Sequence, residues 1–162
     1  MRNLKVIMSY RGTNYHGFQR QENAVGIQNI LEEKLSVLTA SDVKINGCSR
    51  TDTGVHANEY CFSFMTEHSI PCSNIVRGMN SVLPDDISLQ SCEEVPEDFH
   101  ARYSCKGKEY VYLISNRPTR DPFKADLALH YPYKLDVSLI NKAGQDFVGT
   151  HDFTSFCGTA NQ

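Results

Sequence analysis

A short stretch from Gly47 to Ala57, GCSRTDTGVHA, holds residue types that could do chemistry. It places the carboxylate of Asp52 two residues after Arg50 and four residues before His56. In an extended segment Arg50 and Asp52 project to the same side, so the guanidinium can pair with the carboxylate and keep it ionised. An ionised aspartate can act as a nucleophile toward an electrophilic sugar or phosphoryl centre. The stretch is therefore compatible with a nucleophilic Asp52 supported by Arg50.

Two alternatives fit the same residues. Asp52 can bond its own backbone in an Asx turn, which is a common use of aspartate in turn-forming strings. The triplet Asp52-Thr53-Gly54 is also found in aspartic peptidases, where two such carboxylates share a proton. The nearby Arg50 would hinder proton sharing, and the residues around the triplet differ from those usual in peptidases. The stretch by itself leaves all three functions open.

The overall composition is that of a soluble globular protein. Its 162 residues are 40% hydrophobic and 22% charged, which suits one domain or two small subdomains that share a core. No segment has the apolar run of a signal peptide or a membrane helix, so we expect a cytoplasmic protein with no membrane partner. The six cysteines form no CxxC pair and no clustered histidines accompany them, so we expect reduced thiols and no metal or other cofactor.

The distribution of charge says more than the net charge of -3, which argues weakly against a nucleic-acid partner. Residues 1–20 carry four basic side chains and no acid, and residues 99–124 carry six bases against two acids, so each segment is +4. Residues 80–98 between them carry six acids and no base. This pattern suits a protein with one basic and one acidic face, although random clustering on a solvated surface would also produce it.

Hydrophobic periodicity predicts an alternating series of elements in the first part of the chain. We expect α1 to begin near Ile27 with Asn23 as its cap, and α2 to be capped by Ser73 and ended before Pro84. The predicted strands are residues 4–10, 43–47, 59–65 and 87–95. The order βαββαβ is that of a ferredoxin-like unit and predicts the α+β class.

A second unit is predicted after the acidic stretch. We expect strands over residues 102–114 and 127–133, a loop over 116–123, and a helix opened by Asp136. Phe153 and Phe156 are expected in its core, with Asp152 as a cap. The predicted domains are residues 1–98 and 99–162. If the second unit repeats the first, its last strands are absent, so we expect an incomplete subdomain with unpaired edges.

Several stretches together carry a family resemblance. SRTDTGVHA resembles the catalytic signature of the tRNA pseudouridine synthases of the TruA type. SYRGTNYHGFQRQ, FHARYSCKGKEYVY, RDPF and GTHDFTSF resemble further parts of that family, in the same order and over essentially the whole chain. Each piece alone would be weak, whereas the joint match is specific.

The resemblance implies a site and a reaction. It implies that Asp52 is the nucleophile, Arg50 its ion-pair partner, and Tyr110 the aromatic ring that stacks on the target base. The implied activity is the isomerisation of uridine to pseudouridine at positions 38, 39 and 40 in the anticodon stem-loop of tRNA. The implied architecture is two ferredoxin-like, RRM-like subdomains with a mixed, largely antiparallel sheet, in a cytoplasmic homodimer without cofactor or metal.

Further residues are predicted to contact RNA. Arg11 and Arg20 belong to a polar loop that resembles the family's first loop, and His56 follows the catalytic signature. Read without the resemblance, these are surface residues, and Tyr110 is a core tyrosine beside Tyr112. Family members continue beyond the matched region with a basic residue opposite the aspartate, so we expect little activity from the chain alone. The alternatives are a catalytically silent RNA-binding fragment and, as a minor one, an aspartic peptidase.

Overall fold

The computed structural model describes residues 1–158. The chain separates into two compact units, the first from Met1 to Glu109 and the second beginning at Tyr110. The division into domains expected between residues 98 and 99 stays a prediction. The protein has mixed α+β structure, and its main sheet is antiparallel.

The first unit contains the predicted order of elements, βαββαβ. Their bounds are β1 Arg2–Tyr10, α1 Ile27–Thr39, β2 Ile45–Gly47, β3 Ala57–Thr66, α2 Cys72–Asn80 and β4 Ile87–Val95. The four strands form one sheet in the order β2-β3-β1-β4. The long strands β1 and β3 therefore lie at its centre, and the ends of β1, β2 and β3 are where the loops of interest leave the sheet.

The core of this unit lies between one face of the sheet and the two helices. Alternate residues of β1 and β3 are buried, as expected where one face of a strand packs on a core. The α1 positions at helical spacing are buried with them. The largest fully buried side chains include Leu4, Val6, Met8, Ile27, Leu31, Leu35, Phe62, Phe64, Ile75 and Met79.

Both predicted helix caps are wrong. Helix α1 begins after Gly26, and the Asn29 side chain reaches back so that its Oδ1 accepts from the Gly26 N–H at 3.1 Å. Helix α2 begins after Pro71, whose carbonyl accepts from the Ile75 N–H at 3.1 Å, so Ser73 lies inside the first turn. In each case a backbone group in extended conformation marks the helix start, and no Ser or Asn side chain upstream is needed.

The second unit has little regular structure among its described residues. It contains a two-residue parallel pair, β5 Ile114–Ser115 and β6 Leu129–His130, followed by α3 Val137–Gly144. The helix start is as predicted, because Asp136 Oδ1 accepts from the Leu139 N–H at 2.9 Å. The two predicted strands are much shorter than expected: the range 102–114 contributes only Ile114 to β5, and the range 127–133 is reduced to β6. Residues 105–112 form no strand in the described chain, and a segment without a neighbouring strand has no partner for its backbone hydrogen bonds.

The core predicted for this unit is also wrong. Phe147, Phe153 and Phe156 pack together, with the first two rings 6.3 Å apart and nearly parallel. Yet Phe153 is 40% exposed and Phe156 is 71% exposed. Asp152 does act locally as predicted, because its Oδ1 accepts from the Thr154 N–H at 2.9 Å. Of the described residues in this unit only Ser115 is buried, so the aromatic cluster is a surface feature.

Candidate active site

Two loops of the first unit lie side by side at one end of the sheet. The first loop, residues 11–26, joins β1 to α1. The motif loop, residues 48–56, joins β2 to β3 and carries Asp52. Because β1 and β3 are neighbours in the sheet, their loops leave it close together. The fold therefore brings residues more than thirty positions apart in sequence into one site.

Backbone hydrogen bonds join the two loops on both sides of Asp52. The Phe18 N–H donates to the Thr51 carbonyl at 3.2 Å, and the Gly54 N–H donates to the Tyr15 carbonyl at the same distance. One bond lies directly before Asp52 in the chain and the other lies two residues after it. The backbone that carries the carboxylate is thus anchored at both flanks.

His56 provides a third connection between the loops. Its Nδ1 accepts a hydrogen bond from the Gly12 N–H at 2.9 Å, which requires this nitrogen to be unprotonated. In the neutral ring the proton therefore sits on Nε2. The predicted contact of His56 with RNA stays a prediction, and its role in the structure is to join the two loops.

Asp52 and Arg50 are both exposed. The Asp52 carbonyl accepts from the Val55 N–H at 3.2 Å, which closes a tight turn through backbone atoms. Among the hydrogen bonds and ion pairs of residues 1–158, none involves the Asp52 carboxylate, so the Asx turn considered above is not formed. The Arg50 guanidinium likewise forms no ion pair with it within 4.0 Å in this part of the chain. Both carboxylate oxygens are therefore presented to solvent, and the supporting role of Arg50 stays a prediction.

Asp86, the residue directly before β4, anchors the first loop. Its carboxylate accepts from the Asn14 side chain at 3.0 Å and from the Tyr15 hydroxyl, and its carbonyl accepts from the Arg11 N–H at 2.8 Å. Burial and the adjacent Asp86 carboxylate raise the pKa of the Tyr15 phenol, so it stays a hydrogen-bond donor. The Arg11 backbone is thus fixed, while contact of its side chain with RNA stays a prediction.

The predicted RNA contact Arg20 has a structural partner. Its guanidinium pairs with Glu32 of α1 at 2.9 Å, and the Glu32 side chain is only 4% exposed. The other Glu32 oxygen accepts from the Ile45 N–H at 3.1 Å and from Gln28 at 2.9 Å. A buried carboxylate with these partners connects the first loop, α1 and the start of β2. The periodicity of α1 alone gave no sign that Glu32 lies inside.

We expect Arg20→Ala to lower the free energy of unfolding by roughly 1–2 kcal/mol, because it leaves a buried carboxylate with one partner fewer. The figure is modest because the Arg20 side chain is 56% exposed and solvent screens the pair. Lys44→Ala is the matched control, since Lys44 pairs with Asp42 where both side chains are exposed. Urea denaturation of the three proteins measures the difference. Equal destabilisation by the two substitutions would contradict a structural role for Arg20.

Tyr110 lies at the beginning of the second unit. It is 86% exposed, and Tyr112 is 77% exposed, so the alternative that both belong to a core is wrong. The stacking role of Tyr110 stays a prediction. Its ring is available to a ligand, which is what a stacking residue requires.

The described residues contain neither a metal centre nor a membrane-spanning helix. In residues 1–158 no group of three His, Cys, Asp or Glu side chains is arranged to hold a metal ion. Across the same residues no helix combines the length and apolar character needed to cross a bilayer. Burial raises the pKa of the Cys61 thiol to about 11 and that of Cys92 to about 12, so both stay protonated and poorly nucleophilic near neutral pH.

Comparisons with known proteins place this site in a family. A family model described as tRNA pseudouridine synthase matches residues 6–104, which include both loops of the site. The chain is 44% identical over 162 residues to a protein named tRNA pseudouridine synthase A from Ruminiclostridium cellulolyticum. It is 43% identical to proteins of the same name from Thermoanaerobacter sp. over 156 residues and from Clostridium acetobutylicum over 162.

The matches cover nearly all of this chain and a smaller share of the relatives. They include 100% of the chain for the first and third of these relatives and 96% for the second. The chain spans 66%, 64% and 66% of their respective lengths.

Proposed function

This chain belongs to the tRNA pseudouridine synthase family, and from that premise we propose that it isomerises uridine to pseudouridine in tRNA. The proposed targets are positions 38, 39 and 40 of the anticodon stem-loop. The observation that carries the proposal is the exposed Asp52 carboxylate on a loop whose backbone is anchored at both flanks. A fixed backbone with a solvent-facing carboxylate is what a nucleophile needs to meet a base turned out of its stack.

The reaction exchanges one bond for another at the same sugar carbon. The bond between uracil N1 and ribose C1′ breaks, a bond between C5 and C1′ forms, C5 loses its proton and N1 gains one. Asp52 can act by attacking C1′, by adding to the uracil ring, or by helping to remove a sugar proton to form a glycal. Each route uses an ionised carboxylate and needs neither oxidant nor water as a reactant. We therefore propose catalysis without metal or cofactor.

The finer features of the family form part of the same proposal. We propose two ferredoxin-like subdomains, residues 1–98 and 99–162, and a cytoplasmic homodimer that binds tRNA. Arg50 would then approach Asp52 when RNA is bound, and Arg11, Arg20 and His56 would lie near the RNA. Support comes from the βαββαβ order and the strand order of the first unit, and from the two basic segments of the sequence.

An aspartic peptidase and an RNA-binding fragment without activity are the two alternatives to this function. The aspartic peptidase needs a second carboxylate that shares a proton with Asp52, and within residues 1–158 Asp52 has no hydrogen-bonded carboxyl partner. The RNA-binding fragment without activity differs from the enzyme only in product formation. Family membership favours the synthase over the peptidase, and an assay with tRNA separates the synthase from the silent fragment.

The test is to incubate the protein with an unmodified tRNA transcript and locate pseudouridine by mass spectrometry of nuclease fragments. Because we expect little activity from this chain alone, we expect a low yield of product, in the fragment containing positions 38–40 and in no other. Pseudouridine in a different part of the tRNA would support the proposed reaction but would refute the proposed target positions. Binding of the tRNA without product under protein excess would support the silent fragment instead.

We expect Tyr110→Ala to weaken productive binding of tRNA by roughly 1–3 kcal/mol, which is the typical worth of one base stacked on an aromatic ring. Tyr110→Phe retains the ring and is expected to bind nearly as well. Tyr112→Ala is the matched control, because Tyr112 is also exposed and lies two residues away. The effect is measured from the dependence of the single-turnover rate on protein concentration, for the unsubstituted protein and for each variant. Equal rates for the Ala and Phe variants at position 110 would exclude stacking.

A further inference from the structure

Three aromatic rings lie beneath the motif loop. They are Tyr10 at the end of β1, Phe18 in the first loop and Tyr60 in β3, and none is more than 4% exposed. Phe18 stacks on Tyr60 with ring centroids 4.3 Å apart, and Tyr10 meets Tyr60 edge-on at 5.6 Å. The rings form one packed cluster, which we call the aromatic platform.

The two tyrosine hydroxyls of the platform reach the motif loop on either side of Arg50. Tyr10 Oη lies 2.9 Å from Thr51 Oγ1, so the two hydroxyls share a hydrogen bond. The Tyr60 hydroxyl donates to the carbonyl of Ser49. Ser49 directly precedes Arg50, and Thr51 directly precedes Asp52. Each hydroxyl therefore binds a residue next to one that the proposed reaction uses.

Gly47 allows this close approach. A Cβ at position 47 would lie 2.4 Å from Tyr60 Oη and 2.6 Å from a ring carbon of Phe18. Separations below 3.0 Å would force the rings or the loop to shift. Any larger residue at this position would therefore push the start of the motif loop away from the hydroxyls.

We propose that Tyr10 and Tyr60 are positioning residues, whose hydroxyls hold the Thr51 side chain and the Ser49 carbonyl so that Arg50 and Asp52 point outward in a fixed arrangement. The importance of this arrangement for catalysis rests on the proposed function. The packing alone does not require tyrosine, because phenylalanine would fill the same space. What the hydroxyls add is attachment of the loop, since a buried hydroxyl that loses its partner is left unsatisfied.

The protonation of the two phenols is suited to this role. Burial raises the pKa of Tyr10 to about 12 and raises that of Tyr60 as well. Tyr10 faces the Thr51 hydroxyl and lies near the Cys48 thiol, and Tyr60 faces the Ser49 carbonyl and the same thiol. Both phenols therefore remain protonated at neutral pH, and the Tyr60 hydroxyl remains a donor.

The first test needs no catalysis. Arg50 is exposed, so trypsin can cut after it when the loop opens, and we expect Tyr10→Phe and Tyr60→Phe each to speed this cut about fivefold. The cut after Lys44, also exposed, serves as the internal reference and is expected to be unchanged. Ser63→Ala is the matched variant, because it removes another buried hydroxyl of β3, one that accepts from the Ala101 N–H at 3.2 Å.

The ratio of the two cuts separates positioning from general stability. A purely structural role would speed cleavage at Lys44 as much as at Arg50, or would give Ser63→Ala the same effect on the ratio. Either result would overturn the proposal, as would an unchanged ratio in both phenylalanine variants. Because trypsin reports on the loop alone, this result holds even if the protein forms no pseudouridine.

The second test uses turnover. We expect the phenylalanine variants to lower kcat several-fold with KM nearly unchanged, because the loop is misplaced while the surface that binds RNA is intact. Ser63→Ala is expected to keep both constants. Unaltered kcat in both phenylalanine variants would overturn a positioning role. If instead the unsubstituted protein has no turnover, the proposed function fails and only the anchoring of the loop, decided by trypsin, remains.

Discussion

Asp52→Asn is expected to reduce pseudouridine formation by at least about a thousandfold while tRNA affinity stays within about twofold. The amide keeps the shape of the side chain and removes the charge that each of the three chemical routes requires. Asp52 is exposed, and the loop is held by its backbone and by neighbouring residues, so the fold should be unaffected. Filter binding and single-turnover product formation measure the two quantities on the same protein.

Asp42→Asn is the control for this substitution. Asp42 is an exposed aspartate of the same unit, and in the described chain its side chain pairs only with the exposed Lys44. It is expected to leave both affinity and product formation unchanged. Substantial product from the Asp52→Asn protein would contradict the nucleophile, and loss of affinity in parallel with product would point to a binding role for Asp52.

Gly17→Ala is expected to cost roughly 3 kcal/mol of folding stability and most of the activity. Gly17 has φ +83°, where an L side chain is strained by about 1–2 kcal/mol. Its Cβ would also lie 2.4 Å from the Thr51 carbonyl oxygen, and such crowding typically costs ~1–3 kcal/mol. Relief requires moving Thr51, which precedes Asp52. Denaturation midpoints and product formation together measure the effect.

Substitutions at two other glycines separate the cost of backbone strain at positive φ from the cost of crowding by the added Cβ. Gly54 has φ +81° but has no heavy atom within 4 Å of its Cβ position, so Gly54→Ala should show the strain alone, about 1–2 kcal/mol. Gly107 has open space and no positive φ, so Gly107→Ala should change stability by less than about 0.5 kcal/mol. If Gly17→Ala were no worse than Gly54→Ala, the close approach of the two loops would be wrong.

The elements of the first unit could be predicted because their hydrophobic periodicity coincides with real packing. The buried face of β1 alternates with exposed positions, and β4 has the bounds expected from the sequence. The caps were predicted wrongly because Asn23 and Ser73 are common cap residues by type. Only the three-dimensional structure shows that Gly26 and Pro71 hold the preceding extended positions.

The short length of the two strands in the second unit could not be predicted from their composition. The segment from Tyr110 to Leu113 has high β-propensity, yet propensity describes how a residue fits a sheet that is already there. Only Leu113 of this segment is bonded to a strand of the second unit, through the Leu129 N–H, and all four side chains stay exposed. Helix α3 was predicted correctly because its start depends on a local contact, the bond from the Leu139 N–H to Asp136.

The chemical roles of the site residues stay predictions, and the residues that support the motif loop were not predicted from the sequence. Asp52 and Arg50 stand out by residue type and by family resemblance. The attachment of the motif loop to Tyr10, Phe18 and Tyr60 involves partners that are 11 to 41 residues apart along the chain. A tyrosine in a strand with alternating apolar residues is predicted to lie in the core. The sequence of the strand does not show which group its hydroxyl contacts.

The most direct measurement of the central claim uses tRNA with tritium at C5 of its uridines, with the protein in excess over the RNA. Isomerisation replaces the C5–H bond by the bond to C1′, so each event releases one tritium to water. We predict release that equals the pseudouridine found by mass spectrometry and that disappears in Asp52→Asn. Release that persists in Asp52→Asn, or tRNA that is bound without any release by the unsubstituted protein, would contradict a synthase in which Asp52 is the nucleophile.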